Sequence, residues 1–181
     1  AGIGGGSADA ACVLRGLCRL YDVAPGGEKW TKALMSLGAD LPVCFAGRSA
    51  RVKAAGENFS EFDSHLAGRG IVLVNAMKSC PTASVFQAYG EPFSQETGHI
   101  DEQALGSTRN DLLPAACSIV PEIGRILEVI RTQTTPQHAG MSGSGATCYG
   151  FYDDTDSANR AARKIAKHNS SWWVKAGRIL E

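Results

Sequence analysis

The 181-residue chain has no surplus of either charge, with 18 Lys and Arg against 18 Asp and Glu. Proteins drawn to nucleic acid or to an anionic membrane by their overall field are strongly basic, so neither partner is expected here. No apolar run approaches the length of a membrane-crossing helix. Among the six cysteines (Cys12, Cys18, Cys44, Cys80, Cys117 and Cys148) there is no Cys-x-x-Cys spacing, and none stands near a histidine at zinc-ligand spacing. A secretory leader is also lacking, so these are expected to be reduced, mainly core thiols of a cytoplasmic protein. Internal repeats and low-complexity tracts are missing too. The opening glycine run is not followed by Gly-Lys-Ser/Thr, which excludes a Walker A loop. Its glycine spacing, with no strand before it, excludes the dinucleotide-binding fingerprint.

What is present is an ordinary globular composition, 44% hydrophobic and 20% charged, with 21 glycines that cluster. The length suits one large domain or two small ones. Apolar residues recur on one helical face over residues 9–21, with Ser7 placed to cap the start and Asp9 in the first turn. A second helix is expected over 28–37, closed by Gly38, and a short third one after Asp40, with Pro42 in its first turn. Residues 49–55 and 58–62 read as strands separated by Gly56, and the β-branched run 70–75 as a buried strand. Helices are expected over 81–89, 110–119, 121–131 and 157–168, strands over 147–152 and 172–176, and a loop over 90–108. Strands mixed with helices, without strict βαβ alternation, favour an α+β sandwich over a doubly wound sheet.

Two segments have the chemistry of anion sites. Gly2, Gly4, Gly5 and Gly6 with Ser7 run straight into a helix, where converging N–H groups and the helix N-terminus favour an oxyanion. A flexible tail before a capped helix is the alternative. Gly140-Met141-Ser142-Gly143-Ser144-Gly145 precedes a strand, where a tight packing turn is the alternative. Asp40 reads as a helix cap, although a carboxylate there can also serve phosphoryl transfer as a base. Ser79 and Thr82 are candidate caps beside Lys78. His65, His99, His138 and His168 are polar-flanked and read as surface residues, and Trp172-Trp173 as core and edge packing.

Five segments carry a resemblance in order along the chain. They are Gly2-Ile3-Gly4-Gly5-Gly6-Ser7-Ala8-Asp9-Ala10-Ala11, Leu37-Gly38-Ala39-Asp40-Leu41-Pro42-Val43, Arg109-Asn110-Asp111-Leu112-Leu113-Pro114-Ala115-Ala116, Met141-Ser142-Gly143-Ser144-Gly145-Ala146-Thr147-Cys148 and Trp172-Trp173-Val174. The set resembles the GHMP kinase superfamily and, within it, the diphosphocytidyl-methylerythritol kinases.

The resemblance implies an α+β GHMP kinase fold. An incomplete N-terminal domain, ribosomal protein S5 domain 2-like, would occupy residues 1–63, and a ferredoxin-like C-terminal α/β sandwich residues 64–169. The strand in 170–181 would return to the N-terminal domain. It implies ATP-dependent phosphorylation of the 2-hydroxyl of 4-diphosphocytidyl-2-C-methyl-D-erythritol, in non-mevalonate isoprenoid precursor synthesis of the bacterial cytosol, with the plastid stroma as the alternative. Carried over by motif, Gly2, Gly4, Gly5, Gly6 and Ser7 would cradle the ATP phosphates, with Ser7 also near Mg²⁺. Asp40 would be catalytic, and Thr82, Gly143, Ser144 and Gly145 would line the methylerythritol site.

Two departures stand out. The family's first motif, with its lysine, has no counterpart in these residues, so impaired activity is expected of this chain alone. The lead-in to Thr82 reads Asn75-Ala76-Met77-Lys78 where the family has Pro-Gly. The alternatives are another GHMP kinase, acting on homoserine, mevalonate or a sugar, and a catalytically dead fragment that binds nucleotide or a partner protein.

Overall fold

The computed structural model describes residues 2–53, 58–61, 66–90, 92 and 108–180. The chain divides into two compact units, Gly4–Ser64 and Ala1–Ile3 with His65–Leu180.

In the first unit, helices α1 (Gly5–Leu20), α2 (Gly27–Leu37) and α3 (Leu41–Ala46) precede a hairpin of β1 (Ala50–Lys53) and β2 (Asn58–Glu61), paired antiparallel from Ala50–Glu61 to Lys53–Asn58. Helix α1 begins earlier than its apolar periodicity suggests. Gly4 takes a left-handed φ of 61°, which glycine adopts at little cost, and the helix winds as soon as the chain leaves that turn. Ser7 therefore lies inside the first turn and is not the N-cap, while Asp9 falls beyond the first turn. The buried face of α1 carries Ala11, which meets Leu34 of α2 and Leu41 of α3, with Leu14, Trp30, Cys44 and Phe45 packed around them. Trp30 and Phe45 meet edge to face at 5.5 Å, an arrangement that adds to their area burial.

The second unit is built on β3 (Gly70–Asn75), α4 (Thr82–Tyr89), α5 (Leu113–Ile119), α6 (Glu122–Gln133), β4 (His138–Met141), β5 (Cys148–Tyr152), α7 (Thr155–His168) and β6 (Trp173–Arg178). All the pairings are antiparallel and the sheet order is β4-β5-β3-β6. With α6 and α7 as the packed crossovers, this is the β-α-β-β-α-β arrangement of a ferredoxin-like sandwich. The α+β expectation holds. In β3, Val72 and Val74 are fully buried, while Ile71 and Leu73 on the other face are half-buried. The buried face meets Ile126 and Ile130 of α6 and Ala158, Ala161 and Ile165 of α7. In α6, Ile123, Ile126, Leu127 and Ile130 recur at the spacing that makes one helical stripe. Burying each such side chain contributes about 1.5–3 kcal/mol. Helix α7 starts where Asp154 accepts from the Ser157 N–H at 2.6 Å, the capping bond that turns the chain out of β5.

Several expectations are corrected. The C-terminal strand does not return to the N-terminal region: β6 pairs with β3 from Gly70–Arg178 to Asn75–Trp173, because β3 has an edge that β5 does not cover. Strand β4 was not anticipated, and it takes in Gly140 and Met141 from the second glycine-rich segment. Helix α5 starts three residues later than expected, since Asn110 is spent on a turn: its Oδ1 accepts from Leu112 N–H at 3.0 Å. His138 is half-buried on β4, 3.3 Å from the Tyr149 hydroxyl and stacked on Phe151, so it is no surface residue. His168 is exposed, and His65 and His99 lie outside the described residues, as does most of the expected loop 90–108. All six cysteines are free, but only Cys80 and Cys148 are buried, and Cys12 is exposed. Burial pushes the Cys148 thiol up to about 12, which leaves it protonated and inert. Among the described residues no helix is long and apolar enough to cross a membrane.

Candidate active site

The residues singled out by sequence fall into two groups, one on each unit. In the first, the N-terminal turn of α1 presents Gly5, Gly6 and Ser7. The first N–H groups of a helix have no partner within it, and they carry its partial positive charge. A Cβ built on Gly4, Gly5 or Gly6 would meet nothing within 4 Å, so the backbone here is open to an approaching group. The Ser7 hydroxyl points toward the turn between α2 and α3, where its Oγ lies 3.8 Å from the Cβ position of Gly38. Two residues on, Asp40 occupies the N-cap position of α3 but makes no side-chain capping bond. The cap expectation fails at the level of the side chain: Asp40 has helical backbone angles, φ −83° and ψ −12°, and a capping side chain needs an extended residue. Its exposed carboxylate is therefore not committed to the helix.

Arg15 fixes α3 against α1. Its Nη1 donates to the Cys44 carbonyl at 2.7 Å and to the Phe45 carbonyl at 3.1 Å, holding the last turn of α3 to the middle of α1. Charged donors on orphan C-terminal carbonyls are favourable both as hydrogen bonds and as dipole partners. Burial and, after it, the Asp40 carboxylate push the Cys44 thiol up, while Arg15 pulls it down.

In the second unit, Thr82 and Ser144 come together, their hydroxyls 2.9 Å apart. Thr82 opens α4, whose N-cap position is Pro81 with no capping side chain, so its hydroxyl bonds across to Ser144 and not along its own helix. Cys80 Sγ lies 3.5 Å from the Ser144 carbonyl. Gly143 and Gly145 both sit at positive φ, 54° and 90°, which the tight loop between β4 and β5 requires. Gly2 also belongs to this unit: a Cβ on it would stand 2.7 Å from the Gly145 carbonyl. The glycine-rich start thus gives Gly2 to one unit and Gly4 to Ser7 to the other.

Lys78 is ion-paired with Glu122, and that hydrogen bond holds the Glu122 carboxyl below its usual range. A separate cleft of about 630 Å³ is lined by Asn110, Asp111, Leu112, Arg131, His138 and Tyr149. Thr82, Gly143, Ser144 and Gly145 are not among its lining residues. Sequence reading missed Asn75 and Asn110, whose side chains bond to the Gly143 loop and its flank. The available signal was position: one ends a buried strand just before an irregular segment, and the other stands three residues before Leu-Pro.

Comparison with known proteins gives these two groups a class. The model of the GHMP kinase C-terminal domain matches residues 97–171. A solved homoserine kinase from Cytophaga hutchinsonii shares the fold at a TM-score of 0.61 and 10% identity, over 90% of this chain and 61% of its own. A solved 4-(cytidine 5'-diphospho)-2C-methyl-D-erythritol kinase matches at a TM-score of 0.78 and 27% identity, over 97% of this chain and 66% of its own. Among curated relatives, the 4-diphosphocytidyl-2-C-methyl-D-erythritol kinase of Paramagnetospirillum magneticum is 39% identical over 99% of this chain, and that of Erythrobacter litoralis 36% over 99%. The chain spans 66% of the length of each of those two relatives. It belongs to the 4-diphosphocytidyl-2-C-methyl-D-erythritol kinase family of the GHMP kinases.

Proposed function

We propose that this chain serves the ATP-dependent phosphorylation of the 2-hydroxyl of 4-diphosphocytidyl-2-C-methyl-D-erythritol, in isoprenoid precursor synthesis of the bacterial cytosol. The observation that carries the reading is the placement of Ser7 Oγ 3.8 Å from the Cβ position of Gly38, two residues before an Asp40 carboxylate that caps nothing. Phosphoryl transfer depends mainly on positioning and on neutralising charge around the transferring group. The N–H groups of Gly5, Gly6 and Ser7, with Gly4 shaping the turn, receive phosphate oxygens of ATP. Asp40 accepts or polarises the proton of the attacking hydroxyl as the new P–O bond forms and ADP leaves. Thr82 and Ser144, with Gly143 and Gly145 setting the loop, form the wall for the methylerythritol.

Mg²⁺ suits this donor set. Mg²⁺ commonly rests on one or two protein ligands, waters and nucleotide phosphates, and the open backbone of Gly5 and Gly6 beside the Ser7 hydroxyl leaves room for them. Ser7 would supply the hydroxyl, and the ion would neutralise phosphate charge.

The lysine that the family resemblance implies has no counterpart in these residues, so binding is the first measurement. Calorimetric titration with Mg²⁺-ATP and with 4-diphosphocytidyl-2-C-methyl-D-erythritol should show both, and an ADP-release assay should favour this acceptor over homoserine, mevalonate and simple sugars. Failure to bind either ligand, or faster ADP release with another acceptor, overturns the reading.

A further inference from the structure

The loop between β4 and β5 is short of side chains that could fix it, yet it carries Ser144. Its own backbone closes it twice, with Ser142 N–H donating to the Thr147 carbonyl and Gly145 N–H to the Ser142 carbonyl, each at 2.9 Å. Beside the Thr82 and Cys80 contacts with Ser144, two asparagines outside the loop tie it down. Asn110 Nδ2 donates to the Met141 carbonyl at 2.9 Å and to the Gly143 carbonyl at 2.7 Å, while its Oδ1 accepts from Leu112 N–H. At the far end, Asn75, only 7% exposed, donates from Nδ2 to Thr147 Oγ1 at 2.9 Å and accepts at Oδ1 from Met77 N–H at 2.7 Å.

Each amide uses its donor on the loop or its flank and its acceptor on a different segment. Asn110 joins the loop to the entry of α5, and Asn75 joins it to the turn that leads to Thr82. Among side chains, only Asn and Gln offer a donor pair and an acceptor on one rigid plane, and the shorter one holds position more tightly. A substrate wall is useful only when its groups stay within about 0.5 Å of the productive geometry.

We propose that Asn75 and Asn110 are positioning residues that hold the Ser144 loop in register with Thr82 for the substrate. This rests on the reading of Thr82 and Ser144 as the methylerythritol wall. Neither asparagine is a catalytic residue, and each acts through the loop.

Aspartate separates the two halves of each amide. Asn110→Asp keeps the acceptor for Leu112 N–H but turns the donor into an oxygen that faces two carbonyls. In calorimetric titrations of the folded chain, Asn110→Asp should weaken 4-diphosphocytidyl-2-C-methyl-D-erythritol about tenfold and leave Mg²⁺-ATP unchanged. Amide exchange at Ser142 and Gly145 should speed up by a similar factor, with β3 and β5 unaffected. Asn110→Ser, too short to span both carbonyls, should give the same pattern if the aspartate variant does not fold. Thr82→Val is run alongside to test the underlying reading. A weakened Thr82→Val beside an unchanged Asn110→Asp overturns the positioning role alone. An unchanged Thr82→Val overturns the wall and this inference with it. A lower melting temperature with unaltered substrate affinity and loop exchange means that Asn110 is merely structural, and also overturns it.

Discussion

The two units solve the problem of holding functional groups in different ways. Among its described residues, the Gly4–Ser64 unit buries Ala11, Leu34 and Leu41 and leaves Val13, Leu20 and Leu37 more than 60% exposed. The unit built on β3 buries a continuous core from Val72 through Ile126 and Ile130 to Ile165. A small core contributes little stability, so the register of α1 and α3, and with it Ser7 and Asp40, depends on a polar tie from Arg15. In the second unit the apolar core already sets the platform, and the two asparagine amides pin the loop that β4 and β5 carry. The same kind of bond therefore sets helix register in one unit and trims a loop in the other.

Core truncations should separate the units most sharply. Ile126→Ala should cost about 2–5 kcal/mol, read from unfolding followed at Trp172 and Trp173. Leu41→Ala should cost about as much but act on the other unit, moving the Trp30 signal while β3 and β5 amides keep their protection. Simultaneous loss of both signals in either variant would break the comparison and make the chain one cooperative block.

At Asp40 the expected effect is on chemistry alone. In a chain that also carries the family's first motif, Asp40→Asn should lower turnover in the ADP-release assay roughly 10²-fold, the scale of a positioned acid–base group, with the melting temperature unchanged because no capping bond is lost. A stability loss with normal turnover would return Asp40 to a structural role.

Gly5→Val puts a side chain where nothing stands within 4 Å, so α1 should keep its fold. Affinity for Mg²⁺-ATP should nevertheless fall about tenfold, or about 1.4 kcal/mol, if phosphate approaches this backbone. Unaltered affinity would remove the turn from the nucleotide site.

The smallest effect is a pH dependence confined to the second unit. Burial and, after it, the Arg131 charge hold the His138 imidazole below its ordinary value of 6.5. As pH falls, the unfolded chain takes up the proton first, so this stabilisation is full above that value and is lost as pH drops through the lower folded one. His138→Gln should flatten the slope of unfolding free energy against pH in that window, and an unchanged slope would assign it to other groups.

Periodicity and turn chemistry are local, and what depended on them was legible in the residues. Strand β3 was readable from its β-branched run, α6 from its apolar stripe, and the α+β class from the order of elements. The glycine segments, Asp40, and the Thr82 and Ser144 segments were visible as motifs. What sequence could not decide was how side chains were spent. Asp40 looked like a cap, yet the backbone of α3 turns helical one residue too early for its carboxylate to reach the N–H groups. Thr82 also looked like a cap, yet Ser144, in the β4–β5 loop sixty-two positions away, claims its hydroxyl. Strand β4 was hidden because its residues, His138, Ala139, Gly140 and Met141, have little β propensity and are strand only by pairing with β5. For the same reason β6 found its place beside β3. The choice of partner for a strand edge, a hydroxyl or an amide is a long-range one, made when the chain closes on itself, whereas the helices, the strands β3, β5 and β6 and the glycine turns were set by the residues themselves.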